Sequence, residues 1–206
     1  MSNAKAILFD ADGVLTLPEE LFSILYSRSH GLDPKSFEEF FKNDWKPFVL
    51  GKADLKQHIK DNSQLWQWDG TPEELLNYWF KSEDVKNMEL IELISTIREN
   101  GTHCYLATEQ EKYRGDFMKN VMFKDLFDGY FVTAELGVSK TEPEFFEAIL
   151  ETLKKEHKDL DSKDVVFFDD SQSKVDTAIT VGIDGCLYES INQLREKLTS
   201  VGIEYR

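Results

Sequence analysis

The sequence has little cysteine, no long apolar run and no signal peptide pattern, and each absence narrows what the protein can be. Its two cysteines, Cys104 and Cys186, lack the Cys-x-x-Cys spacing of a redox or zinc motif. Both fall in predicted strands, so we expect buried free thiols in a reducing compartment. No stretch reaches the roughly 20 apolar residues of a membrane-spanning helix. We therefore expect a cytoplasmic protein without a membrane partner.

Positive charge is also scarce. The chain carries 24 Lys and Arg against 39 Asp and Glu, a formal net charge of −15. No basic patch or arm of the kind that binds nucleic acid is visible, so we expect no nucleic-acid partner. An anionic small substrate would need local cations at its site. The 206 residues suffice for one large domain, or for a core domain with a smaller insertion.

The segment over residues 6–16 carries the strongest functional signal. Ala6–Phe9 is a short apolar run typical of a central parallel strand, and Asp10 and Asp12 follow it, just before Gly13. Because residues two apart in an extended backbone project to the same side, both carboxylates can face one ligand at the strand end. Two carboxylates this close repel each other unless a bound cation or a shared proton relieves the repulsion. The pattern indicates a metal or acid–base site; the alternative is an ordinary Asp-x-Asp-Gly turn.

A helical insertion follows this segment. All four tryptophans fall between Leu17 and Asp84, where no strand is predicted. The four predicted helices cover Glu19–His30, a segment from Asp33-Pro34, Ala53–Asp61, and a segment from Thr71. Their aromatic residues repeat at the spacing that burial requires, so we interpret them as the core of a small bundle. If the bundle covers the strand ends, its candidate substrate contacts are Lys46, Gly51, Lys52, Lys56 and His58.

From Lys86 onward strands and helices alternate, which predicts a parallel sheet. The predicted strands are His103–Ala107, Tyr130–Thr133, Val165–Phe168 and Gly185–Tyr188. The predicted helices are Met88–Glu99, Arg114–Phe123, Pro143 to about His157, Gln172–Val181 and Ile191–Leu198. Right-handed crossovers then give an α/β fold, a doubly wound parallel sheet with the bundle inserted after the first strand. We assign residues 1–16 and 85–206 to a Rossmann-like core and residues 17–84 to a four-helix cap.

Polar residues follow further strands of the predicted core. Thr108 follows the second strand, Asp169 and Asp170 follow the fourth, and Lys140 lies in a loop before a helix. At one sheet edge, these groups and the first acid pair supply carboxylate oxygens suited to Mg²⁺, a hydroxyl donor and a cation. That inventory suits phosphoryl transfer. Taken singly, Thr108 also fits a helix cap, Lys140 a surface lysine, and the second acid pair a capping pair.

These motifs resemble the haloacid dehalogenase superfamily, whose pattern is Asp-x-Asp after strand one, Thr or Ser after strand two, a later lysine, and paired acids after strand four. The matching segments are Phe-Asp-Ala-Asp-Gly-Val-Leu-Thr, Leu-Ala-Thr, Gly-Val-Ser-Lys-Thr-Glu-Pro-Glu-Phe-Phe and Val-Val-Phe-Phe-Asp-Asp-Ser. The insertion after the first motif is similar to the cap of one subclass. The departures are Glu109 where many relatives have Asn, Thr141-Glu142 between Lys140 and Pro143, and Lys174 where Asn or Asp is frequent.

The resemblance implies a Mg²⁺-dependent phosphatase that acts on a small phosphorylated metabolite. In it, Asp10 forms an aspartyl-phosphate, and Asp12 protonates the leaving oxygen and then activates water. Thr108 and Lys140 hold the phosphoryl oxygens. The implied Mg²⁺ ligands are Asp10, the backbone carbonyl of Asp12, and Asp170, with Asp169 as a supporting or additional ligand.

Two other functions remain open at this point. A sugar phosphomutase of the β-phosphoglucomutase type uses the same residues but returns the phosphoryl group to the substrate. A catalytically idle member would keep the motifs as structure and act as a binding or regulatory module. A dehalogenase is disfavoured, because Asp12 supplies a proton donor that carbon–halogen cleavage does not need. Phosphonate cleavage is disfavoured as well, because no cap lysine can be assigned to imine formation.

Overall fold

The computed structural model describes residues 4–205, so residues 1–3 and 206 of the predicted core lie outside it. Within these residues, a five-stranded parallel sheet has the strand order β3-β2-β1-β4-β5. The strands are β1 (Ala6–Phe9), β2 (His103–Thr108), β3 (Gly129–Val132), β4 (Val165–Asp169) and β5 (Asp184–Leu187). The predicted parallel sheet is therefore confirmed, and the strand ends move by no more than one residue.

The middle strand of the sheet is β1, which pairs with β2 on one side and with β4 on the other. All four of its residues are fully buried. A strand covered on both faces carries a continuous apolar run rather than an alternating pattern, which is why Ala-Ile-Leu-Phe predicts it. At the carboxyl end of β1 the order of the strands reverses direction. Open α/β sheets bind their ligands at such a reversal.

Helices cover both faces of the sheet, so the sheet is doubly wound. One face carries α7 (Met88–Glu99), α8 (Lys112–Phe117) and α12 (Ile191–Ser200), and the other carries α10 (Pro143–Glu156) and α11 (Gln172–Thr180). A short helix that the sequence did not predict, α9 (Thr133–Leu136), follows β3. Ile7 and Phe9 belong to the apolar cluster on the first face, and Ala6 and Leu8 to the cluster on the second. This division follows from the alternation of side chains along a strand.

The insertion between β1 and α7 is helical, but it is more divided than the four predicted helices. In the described part of this segment the α-helices are α1 (Phe22–His30), α2 (Pro34–Glu39), α3 (Lys46–Val49), α4 (Leu55–Asp61), α5 (Ser63–Trp66) and α6 (Pro72–Ser82), and a π-helical turn, Phe40–Asp44, follows α2. The unpredicted α3 and α5 are single turns, too short for a 3.6-residue pattern to accumulate. These helices enclose an apolar cluster of their own, which includes Phe22, Trp66 and Trp79.

The chain leaves the sheet layer and returns to it at neighbouring points. Thr16 forms an antiparallel bridge with Lys86. The Leu17 amide donates to the Val85 carbonyl at 2.8 Å. These two adjacent segments are the ones at which the sequence places the domain boundaries, and the division into two domains stays a prediction.

The cysteines and the helices correspond to two expectations drawn from the composition. Cys104 on β2 is buried and Cys186 on β5 is half-buried, and both thiols are free. Among the described residues, the helices are all too short or too polar to span a bilayer.

We expect Leu8→Ala to lower the free energy of unfolding by about 2–5 kcal/mol, because it empties a fully buried position on the middle strand. The matched control is Leu21→Ala, since the side chain of Leu21 is 56% exposed, and its effect should stay within about 0.5 kcal/mol. Urea unfolding followed by circular dichroism measures both. Equal losses for the two variants would contradict the central position of β1.

Candidate active site

Asp10 directly follows β1 and is buried at the carboxyl edge of the sheet. Its backbone amide donates to the Phe168 carbonyl of β4 at 2.9 Å, so the pairing of the two strands continues as far as this residue. Its carboxylate Oδ1 accepts a hydrogen bond from the Ala11 amide at 2.8 Å. The strand and the turn therefore fix both the place and the orientation of this carboxylate.

Lys140 lies in the loop between α9 and α10, and its ammonium is fully buried between two carboxylates. Its Nζ lies 2.6 Å from Asp10 Oδ1 and 2.5 Å from Asp169 Oδ2, and it donates to the Ala107 carbonyl at 3.1 Å. A lysine is almost never fully buried unless it is paired. The structure thus brings the predicted lysine into direct contact with one residue from each acid pair.

The buried carboxylates differ in their pKa values. Burial raises the pKa of Asp10 to about 7, while the Lys140 ammonium acts in the opposite direction. Burial also acts to raise the pKa of Asp169, but Lys140 and Lys174 outweigh it and hold that pKa below its ordinary value. Since Asp169 Oδ1 also accepts from the Ser171 amide at 2.8 Å, both of its oxygens have partners in the protein.

Asp170 completes a group of three carboxylates. One carboxylate oxygen from each of Asp10, Asp169 and Asp170 lies within 4.8 Å of the others. Asp170 is exposed, in contrast to its two buried partners. Carboxylate oxygens in this number are the donor set that Mg²⁺ takes in proteins, together with water. The residues present therefore fit a small hard cation.

Gly13 leaves room for this group. Its φ of +79° favours glycine, and a Cβ at this position would lie only 2.1 Å from Asp170 Oδ2. Any other residue would displace the Asp170 carboxylate. The glycine that closes the first motif is thus required by the approach of the second acid pair as well as by the turn.

Thr108 is the last residue of β2, and its side chain is fully buried beside the strand that carries Asp10. Among the described residues, its hydroxyl has no hydrogen-bond partner. A buried hydroxyl without a partner costs about 1–3 kcal/mol, which an oxygen-rich ligand could recover by accepting a hydrogen bond. This hydroxyl is suited to an anion such as phosphate.

Asp12 lies two residues beyond Asp10, with its side chain 51% exposed. Its Oδ1 accepts from Thr16 Oγ1 at 2.8 Å and from Arg114 Nη2 at 2.9 Å, and its Oδ2 accepts from Gln110 Nε2 at 2.6 Å. Burial acts to raise the pKa of Asp12, but the Arg114 guanidinium and these hydrogen bonds outweigh it and lower the pKa. Asp12 is therefore ionised in this arrangement.

Arg114 and Gln110 were not predicted as site residues. Both belong to the segment that follows β2, and Arg114 lies in the first turn of α8. In sequence they look like ordinary polar residues of a loop and a helix. The only available signal was their position shortly after Thr108, which is too weak to distinguish them from their neighbours.

Two departures from the family pattern meet in the structure. Lys174 Nζ lies 3.6 Å from Glu109 Oε2 and 4.0 Å from Asp10 Oδ2. Glu109 Oε1 also accepts from Ser139 Oγ at 2.6 Å. Lys174 therefore places a second cation beside Asp10, and Glu109 partly balances it.

A cavity of about 490 Å³ opens beside Asp12, between the helical insertion and the sheet layer. Its lining residues are Asp12, Leu21, Ser23, Glu38, Phe41, Lys42, Trp45, Trp79, Glu83, Glu109, Gln110 and Arg114. The aromatic rings thus have two roles, because Trp79 belongs to the core of the insertion and also lines the cavity. The cavity is large enough for the alcohol part of a small ester.

The five residues that the sequence offered as substrate contacts of the insertion do not line this cavity, as far as the described residues go. Lys56 instead pairs with Glu73 at 3.0 Å. His58 stacks on Phe40 and lines a different cavity. Gly51 approaches the backbone of Ala134, where a Cβ would lie 2.3 Å from the carbonyl oxygen.

Lys46 and Lys52 are exposed and are likewise absent from the cavity lining in the described chain. The assignment of these residues as substrate contacts stays a prediction, because exposed lysines in a helical segment carry no signal of which face turns toward the sheet.

Comparisons with solved structures give the same fold over nearly the whole chain. A HAD family enzyme from Bacteroides thetaiotaomicron, in complex with magnesium and inorganic phosphate, has a TM-score of 0.74 at 22% identity, with 93% of this chain and 98% of that chain covered. A HAD phosphatase from Thermococcus onnurineus has a TM-score of 0.66 at 24% identity, with 98% and 100% covered. A predicted HAD-like family hydrolase from Porphyromonas gingivalis has a TM-score of 0.73 at 16% identity, with 98% and 100% covered.

These identities relate the folds alone, and no curated protein matches the chain in sequence. The model of one protein family, described as haloacid dehalogenase-like hydrolase, matches residues 4–182. That range contains all four sequence motifs and both strands that carry the acid pairs. The chain belongs to the haloacid dehalogenase-like hydrolase family.

Proposed function

We propose that the protein is a Mg²⁺-dependent phosphatase that hydrolyses a small phosphorylated metabolite through an aspartyl-phosphate. The observation that carries the proposal is the buried group formed by Asp10, Lys140 and Asp169, with the hydroxyl of Thr108 on the adjacent strand, which has no hydrogen-bond partner among the described residues. This group combines a nucleophile, a cation and a hydroxyl donor. The family supports hydrolysis, and a structural neighbour has been crystallised with magnesium and inorganic phosphate.

In the first step, Asp10 attacks phosphorus and the bond to the leaving oxygen breaks, which leaves a phosphoryl group on Asp10. Because Arg114 keeps the pKa of Asp12 low, Asp12 starts ionised and takes a proton from the phosphate monoester, which binds in its monoanionic form. Asp12 then gives this proton to the leaving oxygen, and the alcohol departs. In the second step, Asp12 takes a proton from water, which attacks the phosphoryl group and releases inorganic phosphate and free Asp10.

Lys140 and Thr108 are assigned to the phosphoryl oxygens. The Lys140 ammonium is held by two carboxylates and offsets part of the negative charge where a phosphate must enter. The Thr108 hydroxyl, which has no partner in the described part of the chain, can donate to a bound oxygen. Both groups act by electrostatic stabilisation of the transferred phosphoryl group.

Mg²⁺ would be held by Asp10, the backbone carbonyl of Asp12, and Asp170. We place Asp169 in a supporting role, because both of its oxygens are used by Lys140 and the Ser171 amide. When bound, the ion supplies neutralisation of charge on the phosphoryl oxygens. The exposure of Asp170 and the room left by Gly13 support this assignment.

We further propose that residues 17–84 act as a cap domain on a core formed by residues 1–16 and 85–206. The two linkers lie side by side, so small changes in them can turn the whole insertion. Such a movement would open and close the cavity beside Asp12, as lid motions do in other enzymes.

The charge of the cavity favours hydrolysis over a sugar phosphomutase. A mutase must bind a sugar that carries a second phosphate, which requires unpaired cations away from the reacting centre. The cavity contains four carboxylates, Asp12, Glu38, Glu83 and Glu109, and two cations, Lys42 and Arg114. Arg114 is already paired with two of these carboxylates. A monophosphate with an uncharged or cationic alcohol part fits this lining better than a bisphosphate.

We expect wild-type protein to release inorganic phosphate from small phosphate esters with Mg²⁺ and to lose this activity with EDTA. Asp10→Asn should lower kcat at least about a thousandfold, because an amide cannot act as the nucleophile. The matched control Asp176→Asn changes an exposed acid of α11 and should retain full activity. A malachite green assay of released phosphate measures all three proteins.

Other outcomes of this assay identify the alternatives. Isomerised sugar phosphate without free phosphate would establish the mutase. No turnover of any ester or sugar phosphate by the wild-type protein would support the idle binding module. Equal activity of the Asp10→Asn variant would exclude the aspartyl-phosphate.

We expect Lys174→Asn to raise the affinity for Mg²⁺ by about tenfold or more, because it removes a cation that lies 4.0 Å from Asp10 Oδ2. Isothermal titration calorimetry with MgCl₂ measures this without substrate. The control Lys197→Asn removes a lysine that pairs with Asp184 and should leave the affinity unchanged. An unchanged or weaker affinity in Lys174→Asn would show that Lys174 does not oppose the metal.

We expect kcat/KM for glucose 6-phosphate to exceed that for glucose 1,6-bisphosphate by about tenfold or more, because carboxylates outnumber cations in the cavity lining. Steady-state phosphate release from both compounds measures this ratio. The matched comparison is the same ratio of kcat/KM measured at high salt. Screening of the cavity charges should bring that ratio closer to one. Preference for the bisphosphate would contradict the charge argument.

A further inference from the structure

We infer that Arg114 is a positioning residue that holds the Asp12 carboxylate in place, and that Glu83, at the end of α6, holds Arg114 in turn. The inference rests on the proposed function, in which Asp12 transfers the protons. It adds two residues that the four family motifs do not contain. It also links the proton-transfer group to the helical insertion.

Arg114 is buried, and its guanidinium joins two acids from different parts of the chain. Its Nη2 lies 2.9 Å from Asp12 Oδ1, and its Nη1 pairs with Glu83 Oε2. Because the guanidinium is planar and rigid, the position of one carboxylate determines where the other can bind. An ammonium holds two acids only when both reach the same nitrogen, as around Lys140, whereas Asp12 and Glu83 contact different nitrogens of Arg114.

Glu83 connects this pair to both ends of the helical insertion. It follows the last residue of α6, and its Oε2 also accepts from Trp79 Nε1 at 3.1 Å. Its Oε1 accepts from the backbone amide of Phe22, the first residue of α1, at 2.7 Å. The Glu83 carboxylate is therefore fixed by α1 and α6 together. A shift of either helix would move the partner of Arg114.

Asp12 needs such a support because its side chain is half exposed. Of its three side-chain donors, Thr16 belongs to the same turn, and Gln110 and Arg114 come from the segment after β2. Arg114 is the charged donor among them and the one that also contacts the insertion. Net stability is a weaker explanation for this buried ion pair, because desolvation of three charged groups offsets much of their attraction.

The arrangement makes the orientation of Asp12 depend on the position of the insertion. With Glu83 in place, the guanidinium presents Nη2 to Asp12. If the insertion moved away, Arg114 would lose one of its two acids and Asp12 would lose its fixed partner. Proton transfer would then be efficient only when the insertion lies over the site.

The test uses two variants, Arg114→Lys and Glu83→Gln, and two esters with different leaving groups. An alkyl ester, β-glycerophosphate, needs a proton on its leaving oxygen, whereas 2,4-dinitrophenyl phosphate does not. Correct placement of a general acid contributes about 10²–10⁴-fold, so kcat for the alkyl ester should fall at least about tenfold in each variant. For the dinitrophenyl ester, kcat should fall less than about threefold, and KM should change little for both.

The matched control is Tyr113→Phe. Tyr113 precedes Arg114 in α8 and donates to Asp54 at the start of α4, at 3.0 Å, so this variant removes another contact between α8 and the insertion without touching Asp12. Its kcat should stay within about twofold of wild type on both esters. Equal losses on both esters in Arg114→Lys and Glu83→Gln would assign the two residues to the stability of the fold and overturn the inference.

Crystal structures of wild type and the two variants give a readout that does not depend on activity. Displacement of the Asp12 carboxylate from Thr16 and Gln110 in either variant supports the inference. A carboxylate that keeps both contacts in both variants overturns it. If wild type hydrolyses neither ester, the proposed function fails, and the crystal structures still decide whether Glu83 and Arg114 position Asp12. If Arg114→Lys does not fold, Glu83→Gln supplies both measurements.

Discussion

The position of one buried ammonium determines most of the site. Lys140 Nζ lies within 2.6 Å of both Asp10 and Asp169, and without it two carboxylates would be buried side by side with only the more distant Lys174 to balance part of their charge. Unpaired buried charges of this kind are not tolerated, so the acid pairs after β1 and β4 can be adjacent only because the loop before α10 brings a cation between them. The sheet order places β4 next to β1 and so brings the two acid pairs together. That order therefore requires the loop that carries Lys140.

The same balance extends over the rest of the site. Arg114 lies between Asp12 and Glu83, and Lys174 lies between Asp10 and Glu109. A chain with a net charge of −15 thus surrounds its reactive carboxylates with three cations. Local pairing, rather than the overall charge, decides whether an anionic ester can approach. The overall composition gave no indication of these pairs, because each joins residues that are far apart in sequence.

The sequence predicted the elements that repeat a pattern and missed those that depend on tertiary contacts. The fully apolar strands and the acids that follow them were predicted within one residue, because burial on two faces and a common sheet edge leave a direct mark on the sequence. The single turns α3 and α5 are too short to produce a recognisable pattern in the sequence. Arg114 and Glu83 were missed because a buried charge looks like a surface charge until its partner is known. The lysines proposed as substrate contacts lie outside the cavity lining of the described chain, since the sequence does not show which way a charged side chain faces.

The central place of β1 has a consequence for how the chain is made. A ribosome synthesises this strand first, yet its two neighbours are β2 and β4, and the second of these ends at Asp169. At about 5–20 residues per second, synthesis of the roughly 160 residues from the end of β1 to the end of β4 takes about 8–32 seconds, and only then can both edges of β1 be paired. During that time the helical insertion has already been made and can fold around its own aromatic cluster. During this interval Ala6–Phe9 is an apolar strand with unpaired edges, which is prone to aggregation unless the nascent chain or a chaperone covers it.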